Sequence, residues 1–282
     1  MKPVHNALCL RITDPAVLKQ FLARWNIDPR SDRQMLVERV AFAFSHIPYE
    51  NLTKIIKSDA VIGPDSAMRL PDEVLADWLK YNTGGTCFSL TAAIIAVLNA
   101  LGIETHPVLA DRHYGPDTHC GVVIVECNGL VLLDPGFLLF SPTLLPVDAP
   151  VFIDNIHNRI ELNPIDGGQR VELYTIVKNN RKFRLTYKAA PVDAETFERA
   201  WKESFAWEMM HYPVLTRVCN GAHHYLQADR LSIRNAEGAK HLPMTAESTA
   251  GFIIDTLGIK RDIALKALEI CTHGTATKPP SA

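Results

Sequence analysis

Apolar residues recur at helical spacing through the first third of the chain and then give way to strand-like runs. Asp14-Pro15 reads as an N-cap followed by proline at the first helical position, and Leu18, Phe21, Leu22 and Trp25 follow at intervals of three and four. Ser31 with Gln34 has the form of a capping box ahead of "MLVERVAFAF". "PDEVLADWLKYN" predicts a helix with Val74, Leu75, Trp78 and Leu79 on one face, ending before Gly84-Gly85. A further helix begins near Cys87, buries a stripe of Leu90, Ile94, Val97, Leu98 and Leu101, and stops at Gly102 as the residue after its C-cap.

From about residue 103 the period becomes that of strands. "HCGVVIVECNGLVLLD" is rich in β-branched and apolar residues on both sides of Asn128-Gly129, a hairpin signal, and "RVELYTIVKNNRKFRLTYK" repeats the form around Asn179-Asn180. An antiparallel sheet or small barrel is therefore expected in the middle third. After it, "DAETFERAWKESFAWEMM" reads as helix, "VCNGAHHYLQADRLSI" as a hairpin, and two short helices finish near Cys271 before a tail, "THGTATKPPSA". The segments expected are helical over 1–101, β over 102–192 and mixed over 193–282, an α+β chain.

Composition narrows the function. With 282 residues the chain is long enough for two or three lobes, and 29 basic against 31 acidic residues suggest no polyanionic partner. Without a basic run or a basic helix interleaved with aromatics, no nucleic-acid or membrane-surface role is expected. The apolar run Leu90–Leu101 is broken by Asn99 and falls short of the roughly 20 residues of a bilayer span. "MKPVHNALCLRITDP" lacks the features of a secretory signal, so the cytoplasm is the expected compartment. The six cysteines include no Cys-x-x-Cys pair and read as free thiols.

Cys87 is the thiol whose position points to chemistry. Free amides at a helix N-terminus stabilise a thiolate in the first turn, and adjacent glycines allow a second backbone or a substrate to approach. A thiolate nucleophile needs a base, and the base an orienting carboxylate. His119 opens the first strand of the Asn-Gly hairpin and Asp134 closes the second. A two-residue loop at Asn128-Gly129 sets Asp134 opposite Val123, roughly 13 Å along the strand from His119. A four-residue loop, Glu126 to Gly129, sets it opposite Gly121 with His119 as diagonal neighbour at about 7–8 Å between backbones, so a triad requires that register.

The remaining histidines, His46, His106, His157, His211, His241 and His273, stand alone in sequence. His113 with His119 and Cys120, or His223-His224 with Cys219, match no zinc spacing, and no metal is expected. Gly84-Gly85 lacks the Gly-Lys-Ser/Thr of a phosphate loop.

Four segments in order resemble the arylamine N-acetyltransferases: "IPYENL" at 47–52, "GGTCF" at 84–88, His119 before an apolar strand, and "LLDPGF" at 132–137. The resemblance implies a helical bundle, an antiparallel β-barrel and an α/β lid, with a cysteine-protease-like arrangement of the nucleophile. It implies that Cys87 takes an acyl group from acetyl-CoA, that an arylamine, hydrazine or related amine receives it, and that His119 and Asp134 serve the proton transfers. By the same likeness Phe137 lines the acceptor pocket, and Thr118 and Gly115 lie near CoA. The chain departs from the pattern at Thr83, where the family carries the Arg that pairs with the Glu matched here by Glu50. It departs again at Ser89, where the family has Glu, and at Leu138, where a glycine is usual and leucine would crowd the CoA approach. Other readings are an amide synthase acting on carrier-bound or longer acyl thioesters, a transglutaminase-like or peptidase-like thiol hydrolase, and a non-catalytic binding protein that retains the fold.

Overall fold

The Asp14 carboxylate accepts from the Ala16 amide at 2.9 Å and opens α1 (Pro15–Arg24), the local geometry an Asp-Pro start dictates. The computed structural model describes residues 7–178, 180–235 and 237–276. Helix α2 (Arg33–Ser45) is capped by Asp32 and not by Ser31: the Asp32 carboxylate, one residue nearer the helix and charged, takes the Met35 amide at 2.9 Å. Three short elements escaped the periodicity: β1 (Tyr49–Glu50), α3 (Leu52–Ala60) and α4 (Pro64–Ala67). Helix α5 (Pro71–Tyr81) ends at Asn82, in the left-handed region with φ of 57°. Helix α6 (Cys87–Ala100) follows, and Gly102 lies beyond its end with φ of 78°.

The eight antiparallel strands of the middle segment are β2 (Thr105–Arg112), β3 (Gly115–Glu126), β4 (Gly129–Asp134), β5 (Leu139–Leu144), β6 (Val151–Asp154), β7 (Arg159–Ile165), β8 (Arg170–Val177) and β9 (Asn180–Lys188). Their order is β5-β4-β3-β2-β9-β8-β7-β6, so the sheet curls as a half-barrel with β5 and β6 at its edges. Alternation along the central strands serves two cores. Leu109, Cys120, Val122, Ile124 and Leu133 face the helices, while Val108, Val123 and Leu132 face the interior of the curl with Leu162, Leu173 and Leu185.

This sandwiching changes the reading of α6. From Cys87 to Leu98 it is buried on every side and not along one stripe, because α2 and α5 cover it from one side and β2 and β3 from the other. Beyond the half-barrel come α7 (Ala194–Glu203), β10 (Val214–Cys219), β11 (Ala222–Gln227), β12 (Arg230–Asn235), β13 (Gly238–Pro243), α8 (Ala246–Gly251) and α9 (Arg261–Ala276). Strand β1 pairs with β10 and completes a five-stranded sheet, β1-β10-β11-β12-β13. Cores cross the segment borders: Phe197 and Trp201 of α7 pack with the first helices, and Leu52 of α3 packs with Leu215, Leu226 and Ile253.

Helix α9 is 16 residues long and runs through Ala276, so the stretch read as a tail begins as helix. Residues 277–282 of that stretch, and Asn179 of the second hairpin, lie outside the described residues. No helix among the described residues is long and apolar enough to cross a membrane.

Candidate active site

The Gly-Gly pair is explained by backbone contact. Gly85 pairs with Tyr49 of β1, and the Glu50 amide donates to the Gly85 carbonyl at 2.9 Å. A Cβ at Gly84 would stand 1.7 Å from the Pro48 carbonyl oxygen, and one at Gly85 would stand 2.2 Å from Ser89 Oγ. The entry to α6 is thereby clamped against β1.

Glu50 lies beneath this clamp, fully buried, and it has found a substitute for the arginine missing at Thr83. Its Oε1 accepts from Thr53 Oγ1 at 2.5 Å and the Gly84 amide at 3.2 Å, its Oε2 accepts from the Thr53 amide at 2.9 Å, and Arg69 Nη1 stands 3.7 Å away. Arg69 also donates to Asp77 Oδ2 at 2.7 Å and to the Gly84 carbonyl at 2.5 Å. Thr83 is buried, and its hydroxyl has no partner.

Cys87 is the first residue of α6, and its N-cap, Thr86, contributes no side-chain hydrogen bond, which leaves the first-turn amides uncapped. The thiol is 3% exposed. Hydrogen bonding from Cys120 leads the effects that hold its pKa well below the ordinary thiol range; burial opposes, and His119 and the Arg112 charge add to the lowering. Cys120 is itself buried, 3.5 Å from Thr91 Oγ1.

Val122 pairs with Leu133 and Glu126 with Gly129, a register that continues to Gly121 opposite Asp134. It is the register that the longer-loop reading required, with pairing carried one residue further so that the turn itself is Cys127-Asn128 and Gly129 has φ of 138°. His119 Nε2 and Asp134 Oδ2 are 2.5 Å apart, and both side chains are fully buried. Burial works against a charged imidazole, yet the Asp134 carboxylate outweighs it and the His119 pKa lies above its ordinary value.

Asp134 has two further partners. Tyr187 donates its hydroxyl to Oδ2 at 2.5 Å, and the Phe137 amide donates to Oδ1 at 2.8 Å. The Phe137 ring lies edge-on to the His119 ring with centroids 6.4 Å apart. Thr118 accepts from the Arg112 amide at 3.2 Å and donates to the Gly115 carbonyl at 2.8 Å, so these two residues knit the β2–β3 turn at the rim of the site.

Four further participants had not been singled out as site residues: Arg69, Arg112, Gly136 and Tyr187. A Cβ at Gly136 would lie 2.6 Å from Cys87 Cβ and 2.9 Å from His119 Cε1, so only glycine lets the β4–β5 connection close over the thiol. Arg112 Nη2 lies 2.9 Å from His119 Nδ1. A guanidinium only donates, so this contact fits the neutral imidazole with Nδ1 as acceptor. "LLDPGF" carried the signal for Gly136; nothing in spacing singled out the other three.

Among the described residues no group of three or more His, Cys, Asp or Glu is arranged to hold a metal ion. Cys219 Sγ stands 3.5 Å from His224 Nδ1, and His223 hydrogen-bonds Thr216 and stacks on His157 at 4.2 Å between centroids.

The chain has the fold of arylamine N-acetyltransferases. It superposes on the enzyme from Mycobacterium abscessus with a TM-score of 0.74 at 18% identity, over 90% of this chain and 94% of that one. The Mycobacterium marinum arylamine N-acetyltransferase in complex with CoA gives a TM-score of 0.71 at 18% identity, over 90% and 99% of the two chains. The Bacillus cereus arylamine N-acetyltransferase with a Cys-His-Glu catalytic triad gives 0.67 at 19% identity, over 88% of this chain and 100% of that one. No protein-family model matches the sequence, and no curated protein does.

Proposed function

We propose that this protein is an acyltransferase of the arylamine N-acetyltransferase type, moving an acetyl or other short acyl group from CoA through Cys87 to an arylamine, hydrazine or related amine. The observation that carries this reading is the convergence of His119, hydrogen-bonded to Asp134, on a thiol of lowered pKa at the start of α6. A structural neighbour bound to CoA supports the donor class.

In the first step the Cys87 sulfur attacks the thioester carbonyl, the new carbon–sulfur bond forms, and CoA leaves as a thiol with the proton that His119 took from Cys87. In the second step the amine attacks the acyl-enzyme, its proton passes to His119, and the carbon–sulfur bond breaks to return the Cys87 thiol. Asp134 holds the imidazole, and the first-turn amides of α6 are suited to the oxyanion of each tetrahedral intermediate. Phe137 lines the acceptor side; Thr118 and Gly115 lie toward CoA. The described cysteines are all free, a state that suits a cytoplasmic enzyme with a working thiol.

Rates of acyl transfer from acetyl-CoA to an arylamine or hydrazine test the assignment. Cys87→Ser is expected to abolish transfer, and His119→Ala to cost more than Asp134→Asn. Full activity in Cys87→Ser would overturn it.

A further inference from the structure

Arg112 is the charged group of the site that the mechanism above leaves unused. It ends β2, and its guanidinium is turned inward against His119 Nδ1 at 2.9 Å. No carboxylate stands within ion-pair distance of it among the described residues, and its buried Nε has no hydrogen-bond partner. The acidic residues nearest in sequence are engaged elsewhere: Asp111 and Asp117 both pair with Lys188, at 3.0 and 2.6 Å. Asp134, the carboxylate of the site, has its oxygens taken by His119, Tyr187 and the Phe137 amide. The remaining electrostatic neighbours of the guanidinium are Tyr114, Cys87 and Tyr49.

A half-buried cation with an orphaned Nε, no carboxylate in contact, and only the Cys87 sulfur, whose charge is lost on acylation, as its nearby anion is costly to keep unless a ligand completes it. The acyl group bonded to the Cys87 sulfur lies beside His119 and so within reach of a guanidinium 2.9 Å from His119 Nδ1. We propose, resting on the acyl-enzyme reading above, that Arg112 selects the acyl donor, and that the preferred donor is the CoA thioester of a short dicarboxylic acid whose free carboxylate pairs with the guanidinium. A carboxylate one or two carbons beyond the thioester carbonyl suits a planar fork that binds it through two parallel N–H groups. The same pairing draws Nη2 away from Nδ1 and leaves that nitrogen free to take the Cys87 proton.

The competing role for Arg112 is to orient His119 and nothing more. Single-turnover acylation of the full-length protein, followed by intact mass, separates the two. The donors are malonyl-CoA and succinyl-CoA, each beside its uncharged match, propionyl-CoA and butyryl-CoA, with acetyl-CoA as reference. The wild type is expected to acylate about tenfold faster or more with the carboxylated member of each pair. Arg112→Met should erase that preference, and Arg112→Lys should keep part of it.

Equal or faster acylation of the wild type by the uncharged donors overturns the proposal and leaves the thioester mechanism standing. It is overturned equally if Arg112→Met slows both members of each pair by the same factor, the signature of a positioning residue. Failure of every donor to acylate a protein whose Cys87 is still alkylated by iodoacetamide would remove the acyl-CoA reading together with this one.

Discussion

Arg69 and Arg112 are both turned into the protein near the start of α6, and they are solved in opposite ways. Arg69 reaches Glu50, Asp77, Thr53 and the Gly84 carbonyl, so its charge is matched and its donors are used. Arg112 reaches one imidazole nitrogen and leaves Nε unpartnered. A buried charge with full partners braces structure, whereas a half-buried charge with an unpartnered donor is held for something that arrives later. The first secures the clamp behind Cys87, and the second faces His119.

The largest effect expected from this contrast is on stability. Arg69→Met would strand Glu50 and leave Asp77 unpaired, and breaking such a buried network costs about 3–5 kcal/mol. Thermal unfolding should show a drop of many degrees for Arg69→Met and little or none for Arg112→Met; equal drops would erase the distinction. Next in size is Gly136→Ala, whose methyl would meet Cys87 and His119. It should lower acyl transfer about 100-fold, the cost of roughly 1 Å of misplacement, while the thermal midpoint moves little.

A smaller effect belongs to Cys120. A thiol whose pKa is lowered stays ionised as pH falls below the ordinary thiol range and loses reactivity only as pH passes through the lowered value. The alkylation rate of Cys87 should therefore persist into mildly acidic buffer, and Cys120→Ala should move the midpoint of its pH profile upward. Transfer at pH 8 should fall by no more than about fivefold, the worth of one hydrogen bond. An unshifted midpoint would mean that Cys120 is packing alone. The smallest effect is at Leu138, which adopts φ of 60° where the resembled family has glycine. Leu138→Gly should raise stability by up to about 1 kcal/mol, since the relief of left-handed strain exceeds the entropy glycine loses.

How far the sequence could be read follows from the range of each interaction. Asp-Pro at α1, the end of α5 ahead of Gly84-Gly85 and the β-rich runs of β3 and β4 around Asn128-Gly129 are local or periodic, and they were legible. The His119 and Asp134 register was legible because pairing allows only discrete choices and chemistry selects among them. The short β1 and α3 carry too few residues for a period, and α6 showed a stripe because a sequence does not reveal that a sheet will cover its other face. Arg69, Arg112 and Tyr187 join the site through contacts 15 to 53 residues away or through an unremarkable strand position, and residue type alone gave no reason to choose them. The departure at Thr83 did pose the right question, since a buried glutamate must have a partner, but only the fold could name Arg69.

The central claim is that Cys87 carries the acyl group. Intact mass after incubation with acetyl-CoA and no amine, for the wild type beside Cys87→Ser, tests it most directly. The account predicts one acetyl increment on the wild type alone, discharged when an arylamine or hydrazine is added. An equal increment on Cys87→Ser, or one that no amine discharges, would contradict it.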